Sequence, residues 1–320
     1  MPDAAYVSWT AIAQAIKAAA TRARAEGITS QDVAAQIAQA RQDRFLARVF
    51  ADGESSDWLL KGGGAMLARV PHTRATKDVD LAARIGHLDE AQTALERAVG
   101  RQLDDHLRFD LIGVRHTGRG ENQPGVQTRR LLFSCLDAQT GRKVGEVPAD
   151  VVVGPAPVGT VETVTPINRL ALPRSLPAPQ YRLFPVADQV AEKVCATLQR
   201  YDGRPSSRVK DLVDLVTIGR TQQISMYELR AAIEHKRWHT DLGPIAVFSV
   251  PDGWDRQYRT LAAATPSAGG ITDVRDAERF VRSLIEPALD GDDGMTWVPG
   301  RGWLAADQVP PAEDTVLPGP

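Results

Sequence analysis

Two aspartates one residue apart, in Lys77-Asp78-Val79-Asp80-Leu81, follow a run of three glycines, Gly62-Gly63-Gly64. In an extended chain successive side chains alternate between faces, so Asp78 and Asp80 share one face while Val79 and Leu81 share the other. Aspartate is disfavoured in strands, and two carboxylates a few ångströms apart repel by on the order of 1 kcal/mol in water, more as water leaves. A divalent cation between them removes that repulsion. Oxygen-only ligands of this kind suit Mg²⁺, which binds through one or two carboxylates and the phosphates of a substrate. The glycines supply the complement, because backbone without Cβ bends sharply and brings N–H groups against phosphate oxygens, above all where a helix begins. A first helical turn is expected at Ala65 to Val70. A phosphate cradle followed by a metal clamp is what phosphoryl transfer needs. The segment is neither a dinucleotide fingerprint nor a GxxxxGK[ST] loop.

These residues need elements to hold them. Apolar periodicity predicts helices from about Ser8 to Glu26 and from Gln31 to Phe50, the second capped by Thr29 or Ser30 and burying Val33, Ile37, Phe45 and Val49. A third amphipathic helix is expected over Leu88 to Val99. Strands follow at Leu107 to Arg115, Thr128 to Leu136 and Lys143 to Val153, with turn residues between them. Neighbouring antiparallel strands flanked by helices make an α+β pattern, a mixed sheet rather than a regular βαβ series. Within the last strand, Ala149-Asp150-Val151-Val152-Val153 places an acid in an apolar run; Asp150 must cap a strand end or meet a partner, since an unpaired buried carboxylate is costly.

Pro155 to Pro179 is proline-rich and reads as a connector with a short strand near Val161 to Val164. The expected organisation is 1–165 as N-terminal helices plus catalytic core, 166–290 as a mainly helical domain completing a cleft, and 291–320 as a flexible acidic tail. In the second part, Val186 to Tyr201 is a helix with Lys193 beside its apolar stripe, and Ser206 to Ile218 is another, with Asp211 and Asp214 neighbours on one face. On composition alone Lys193 snorkels to water and the aspartates are a solvated, salt-bridged face. Ser225-x-x-Glu228 is a capping box opening a helix to about Trp238, Asp273 to Leu289 is a further helix, and Trp254 and Tyr258 are expected in the core rather than stacked on a base.

With 320 residues, 43% hydrophobic, 24% charged and a net charge of −2, the chain reads as ordinary globular protein. No apolar run approaches the roughly 20 residues of a membrane span, and MPDAAYVSWT is not a signal peptide, so a cytoplasmic location is expected. Cys135 and Cys195 form no CxxC and should be buried free thiols. The balance excludes indiscriminate nucleic-acid binding, although Arg101 to Lys143 holds eight Arg/Lys against five Asp/Glu.

Lys61-Gly62-Gly63-Gly64-Ala65-Met66-Leu67, followed by R-x-T-x-D-V-D-L over Arg74, Thr76, Asp78, Val79, Asp80 and Leu81, resembles the first motif of the AbiEii/AbiGii-type (MenT-like) nucleotidyltransferase toxins of the DNA polymerase β-like superfamily. Family members often carry Ser or Thr where this chain has Gly64, so a phosphate-contacting hydroxyl is missing there. The run DQVAEKVCATLQR…SSRVKDLVDLVTI is similar to the second half of the pattern. The resemblance implies an Mg²⁺-dependent enzyme, with two ions on Asp78, Asp80 and a third carboxylate. Asp150 is favoured for that place over Glu146, and would orient or deprotonate the attacking hydroxyl. Gly62 to Gly64 and Lys193 would hold the triphosphate, Asp211 would be essential, and Lys61, Thr76, Arg208 and Asp214 would also bind the nucleotide; Arg208, Lys210 and Asp214 match positions flanking Asp211 in the motif. Also implied are an NTP substrate with CTP the candidate, transfer of the nucleoside monophosphate to the 3′ end of tRNA, growth arrest, and a separate antitoxin. Alternatives are a small-molecule acceptor such as an aminoglycoside, a protein side chain, or a degenerate module that only binds nucleotide.

Overall fold

A computed structural model describes residues 5–116, 126–291 and 294–310. They fall into two compact units, the first of residues 5–116, 126–156 and 161–184, the second of 157–160, 185–291 and 294–310.

The first unit begins with α1 (Trp9–Ala25), whose N-cap Ser8 accepts from Ala11 N, and α2 (Val33–Val49). Asp32, rather than Thr29 or Ser30, caps α2, accepting from Ala35 N at 2.7 Å. Seven strands form one mixed sheet: β1 (Trp58–Leu60), β2 (Val79–Ala83), β3 (Leu107–His116), β4 (Gln127–Asp137), β5 (Lys143–Val153), β6 (Glu162–Val164) and β7 (Tyr181–Leu183), in the order β3-β4-β5-β2-β1-β7-β6. The β2/β5 and β1/β7 pairs are parallel and the others antiparallel. Two further helices, α3 (Gly62–Arg69) and α4 (Leu88–Val99), connect β1 to β2 and β2 to β3. The α+β expectation holds.

One face of the sheet is closed by α2. Phe45 sits against Phe109 and Phe133, ring centroids 5.4 and 5.1 Å away. Its buried surface is more polar than the apolar stripe implied: Gln36, Gln42, Asp43, Arg44 and Arg48 are buried with it, while Val33 and Ile37 are only partly covered. Arg48 is fully buried because every N–H group is used. Nη1 and Nη2 clamp the Asp105 carboxylate at 2.7 and 2.8 Å, and the guanidinium also donates to Arg44 O, Arg101 O and Leu107 O. This ties α2 to the entry of β3, and a fully satisfied pair of this kind tolerates burial.

The division between units lies at Phe184/Pro185 rather than at 165. Its physical reason is β7, hidden behind the proline-rich stretch, which pairs with β1 through Leu60 and Leu183 and carries β6 on its outer side. Leu170, Leu172 and Leu176 of the intervening chain pack on the first core.

The second unit is mainly helical: α5 (Val186–Leu198), α6 (Val209–Thr221), α7 (Met226–His239), α8 (Asp255–Ala263) and α9 (Val274–Asp290). Ser225 accepts from Glu228 N at the start of α7, as the capping-box pattern predicts. Between α5 and α6 lies the hairpin β8 (Arg200–Tyr201) and β9 (Arg204–Pro205). Trp254 and Tyr258 are buried core residues, and Cys135 and Cys195 are buried free thiols.

Part of the expected tail is ordered structure. A three-stranded sheet joins β10 (Ile224–Ser225) to β11 (Met295–Val298) and β12 (Gly302–Ala305). Trp297 is buried, donates from Nε1 to Gly219 O at 2.6 Å, and meets Phe280 and Trp303 edge-on. The high Gly, Pro and Asp content masked these two short strands; residues 311–320 of the expected tail lie outside the described residues. Among the described residues no helix is long and apolar enough to cross a membrane.

Candidate active site

The glycine run is itself the first turn of α3 rather than a loop before it. Lys61, extended at the N-cap, donates its backbone N–H to Asp80 O at 2.8 Å, so the helix start is stitched to the aspartate strand. Gly62 has φ +55°, and a Cβ there would lie 2.0 Å from Asp80 Oδ2. Both facts demand glycine: the backbone is left-handed, and the Asp80 carboxylate occupies the space of a side chain. At Gly63 a Cβ would lie 2.7 Å from Thr76 Oγ1. The Thr76 hydroxyl in turn donates to Asp78 O at 3.3 Å. Gly64 differs, because a side chain there would start 3.0 Å from Leu60 Cδ1, against the core. Lys61 is buried with Nζ 4.3 Å from the Phe184 ring centroid, a cation–π contact.

Strand register then assembles the acids. Asp80 on β2 is directly opposite Asp150 on β5, and Asp150 is opposite Arg130 on β4, so the three form one row across the sheet. Their neighbours Val79, Leu81, Ala149, Val151, Arg129 and Leu131 are buried on the other face. Asp78, just before β2, joins the row through Arg130, whose Nη2 is 2.6 Å from Asp78 Oδ2. Arg130 also donates from Nε and Nη2 to the two oxygens of Asp150, at 2.9 and 3.1 Å. Burial pushes the Asp150 carboxyl above its ordinary range; Arg130 works against this, and the Asp78 charge adds to it. Burial likewise opposes the Arg130 charge, but Asp150 and Asp78 outweigh it and leave the guanidinium above its usual value. The rival acid, Glu146, lies opposite Ser134, beyond the β2 pairing, and is salt-bridged to Lys143.

Among the described residues no three His, Cys, Asp or Glu side chains are gathered as a ready metal site. The donor chemistry nonetheless suits a hard divalent cation: Asp80 and Asp150 share one row, Asp78 lies two residues before Asp80, and a cation, the Arg130 guanidinium, already contacts both Asp78 and Asp150. Arg130 is the residue sequence reasoning missed. Its signal is register, which the turn alone does not give: pairing starts at Leu136 with Lys143, and the register shift between Cys135 and Leu136 is what brings Arg130 opposite Asp150.

The second unit holds the other predicted residues together. Lys193 on α5 is buried, with Nζ 3.0 Å from Asp211 Oδ1 and 2.6 Å from Asp214 Oδ2, both on α6. Arg208, at the N-cap of α6, pairs its Nε with the second oxygen of Asp211. Burial alone would raise the Asp211 carboxyl, yet Lys193 and Arg208 hold it down at about 2. Lys193 is therefore not snorkelling, and the aspartates are not a solvated face.

A family model described as nucleotidyl transferase AbiEii toxin, type IV TA (toxin–antitoxin) system, matches residues 44–280. No curated protein matches the sequence. Among solved structures, MenT4, a nucleotidyltransferase toxin from Mycobacterium tuberculosis H37Rv, is similar at 16% identity, with 81% of this chain and 93% of that one covered and a TM-score of 0.46. JHP933 from Helicobacter pylori is similar at 12% identity, with 79% and 93% covered and a TM-score of 0.40.

Proposed function

The chain belongs to the AbiEii family of nucleotidyltransferase toxins, and we propose that its carboxylate row catalyses transfer of a nucleoside monophosphate from an NTP to the 3′ end of tRNA. The family implies the NTP substrate and the antitoxin partner. The observation that carries the catalytic assignment is the alignment of Asp80 with Asp150 across β2 and β5, with Asp80 seated on Gly62 at the start of α3.

Asp78, Asp80 and Asp150 would hold Mg²⁺, which when bound offsets the charge of the triphosphate. Arg130 neutralises Asp78 and Asp150 in the nucleotide-free chain and gives them up on cation binding. Asp150 is assigned as the proton acceptor: the acceptor hydroxyl oxygen bonds to the α-phosphorus, its proton passes to Asp150, and the α–β phosphoanhydride breaks to release pyrophosphate. The first N–H groups of α3, with Lys61 and the Thr76 hydroxyl, face the phosphates. In the second unit, Lys193 and Arg208 are assigned to nucleotide binding, with Asp211 and Asp214 aiming the Lys193 ammonium. The tRNA acceptor and the preference for CTP rest on the family resemblance.

The test is incubation with Mg²⁺, each α-³²P-labelled NTP in turn and total tRNA, followed by nuclease mapping of the labelled end. Label on the tRNA 3′ terminus is expected. Label on a protein or small molecule alone would overturn the acceptor, and pyrophosphate release with no NTP dependence on Asp80 would overturn the site.

A further inference from the structure

The carboxylate row does not end at Arg130. Arg115 on β3 is directly opposite Arg130, so the row runs Asp80, Asp150, Arg130, Arg115 across β2, β5, β4 and β3, with all four side chains on one face of the sheet. A β-bulge puts Arg115 there. Leu111 is opposite Phe133 and Gly113 is opposite Leu132, so Ile112 is an extra residue on β3. An unbroken register would instead set Val114 against Arg130 and turn Arg115 to the other face, against Arg129. Bulges of this kind re-aim side chains beside active sites. Arg115 is exposed, and Gly113, two residues back on the same face, has no side chain to cover it. Like charges directly opposite one another destabilise a sheet. Arg130 has Asp78 and Asp150 as counter-charges; Arg115 adds a second positive charge at this end of the row, an arrangement that a bound anion stabilises.

On the basis of the nucleotidyl transfer proposed above, we infer that Arg115 binds a phosphodiester of the acceptor strand, the linkage next to the hydroxyl that is extended. Position selects the acceptor over the NTP. The glycines assigned to the triphosphate begin α3 on the β1 side of Asp80, whereas Arg115 is on the β3 side. With neighbouring strands about 4.8 Å apart, Arg115 is about 10 Å from Asp150 and about 14 Å from Asp80. Asp150, assigned to the hydroxyl proton, therefore lies between the two groups. A strand that places its terminal hydroxyl at Asp150 and leads away over β4 and β3 brings its first phosphodiester to the arginines. Arg130, released from its carboxylates when the cation binds, adds a second guanidinium, and the planar fork of each matches phosphate oxygens. Contacts to phosphate carry no sequence information, so Arg115 positions the strand whatever its bases.

Fluorescence anisotropy of the full chain with a 5′-fluorescein single-stranded RNA, in Mg²⁺ without NTP and over a salt series, tests this. Arg115→Gln should weaken binding about tenfold, the loss of one charge-assisted contact, and should reduce the slope of log affinity against log salt by about 0.7, one phosphate of a single strand. Arg115→Lys should keep the slope. The double variant Val114→Arg/Arg115→Val, with the same net charge but its guanidinium on the other face, should bind like Arg115→Gln. RNA with a neutral methylphosphonate at its 3′-terminal linkage should lose the same factor with the wild type and nothing further with Arg115→Gln. In the transfer assay, the KM for NTP should be equal in wild type and Arg115→Gln. Wild-type affinity in Arg115→Gln, full binding by the double variant, additive losses on the methylphosphonate RNA, or a raised KM for NTP with RNA affinity unchanged would each overturn the inference. Arg115-dependent RNA binding with no label transferred to RNA would keep the phosphodiester contact and overturn the tRNA 3′ end as acceptor; label transfer with binding indifferent to Arg115 would overturn the contact alone.

Discussion

Gly62→Ala separates the active-site account from a merely structural role for the glycine run. An alanine Cβ would lie 2.0 Å from Asp80 Oδ2 and 2.9 Å from Asp80 Cγ, so the carboxylate must swing out of the row it forms with Asp150. The backbone at φ +55° adds a strain of about 1–2 kcal/mol for any residue with a Cβ. For a unit of this size that strain lowers Tm by roughly 2–8 °C, well short of unfolding. Misplacing a catalytic group by about an ångström costs on the order of 100-fold in rate, so transfer should fall by at least that factor. Gly64→Ala is the internal control. Its Cβ would start 3.0 Å from Leu60 Cδ1, a contact that small side-chain movement relieves, and alanine in a helix gains up to about 1 kcal/mol over glycine. Transfer of label from NTP to acceptor, with Tm by calorimetry, is the assay. Wild-type transfer by Gly62→Ala, or equal losses in the two variants, would refute the reasoning.

Arg130→Met removes the resident cation from Asp78 and Asp150; because the pair is partly exposed its worth is about 0.5–1 kcal/mol, so Mn²⁺ affinity by calorimetry should rise about 2- to 5-fold, and a fall would contradict the displacement account. Lys193→Met removes the buried ammonium shared by Asp211 and Asp214, leaving Asp211 with Arg208, and should destabilise the fold by about 3 kcal/mol; an unchanged urea midpoint would contradict this. Asp211, held at about 2 against an ordinary 3.8, contributes stability that is present above about pH 4 and lost as pH falls toward 2. That contribution is about 2 kcal/mol, and Asp211→Asn should flatten this limb of the stability curve, a result that an unaltered pH profile would exclude.

Local signals carried much of the fold into the sequence. Apolar periodicity places α1, α2, α4, α5, α7 and α9 within a few residues, and β5 is expected and found over the same span. That Asp78 and Asp80 share a face opposite buried Val79 and Leu81 was legible from the alternation of side chains in an extended chain. What was not legible depends on contacts distant in sequence. β1 and β7 are three residues each, too short for a periodic signal, and their pairing with β2, with β6 and with each other is what makes them strands. Arg130 could be any strand arginine until register puts it against Asp150. The polar interior of α2 follows from Arg48 meeting Asp105, a pairing that no local pattern encodes. Lys193 looked amphipathic because its carboxylate partners lie on another helix.

The role proposed for Asp80, aligned with Asp150 and seated on Gly62, lies in the chemistry and not in the fold. Single-turnover pyrophosphate release by wild type and Asp80→Ala, each at saturating Mg²⁺ and NTP with acceptor present and with Tm recorded on the same samples, tests it directly. Release is expected from the wild type only, with Tm within a few degrees between the two. Release from Asp80→Ala at the wild-type rate would contradict it.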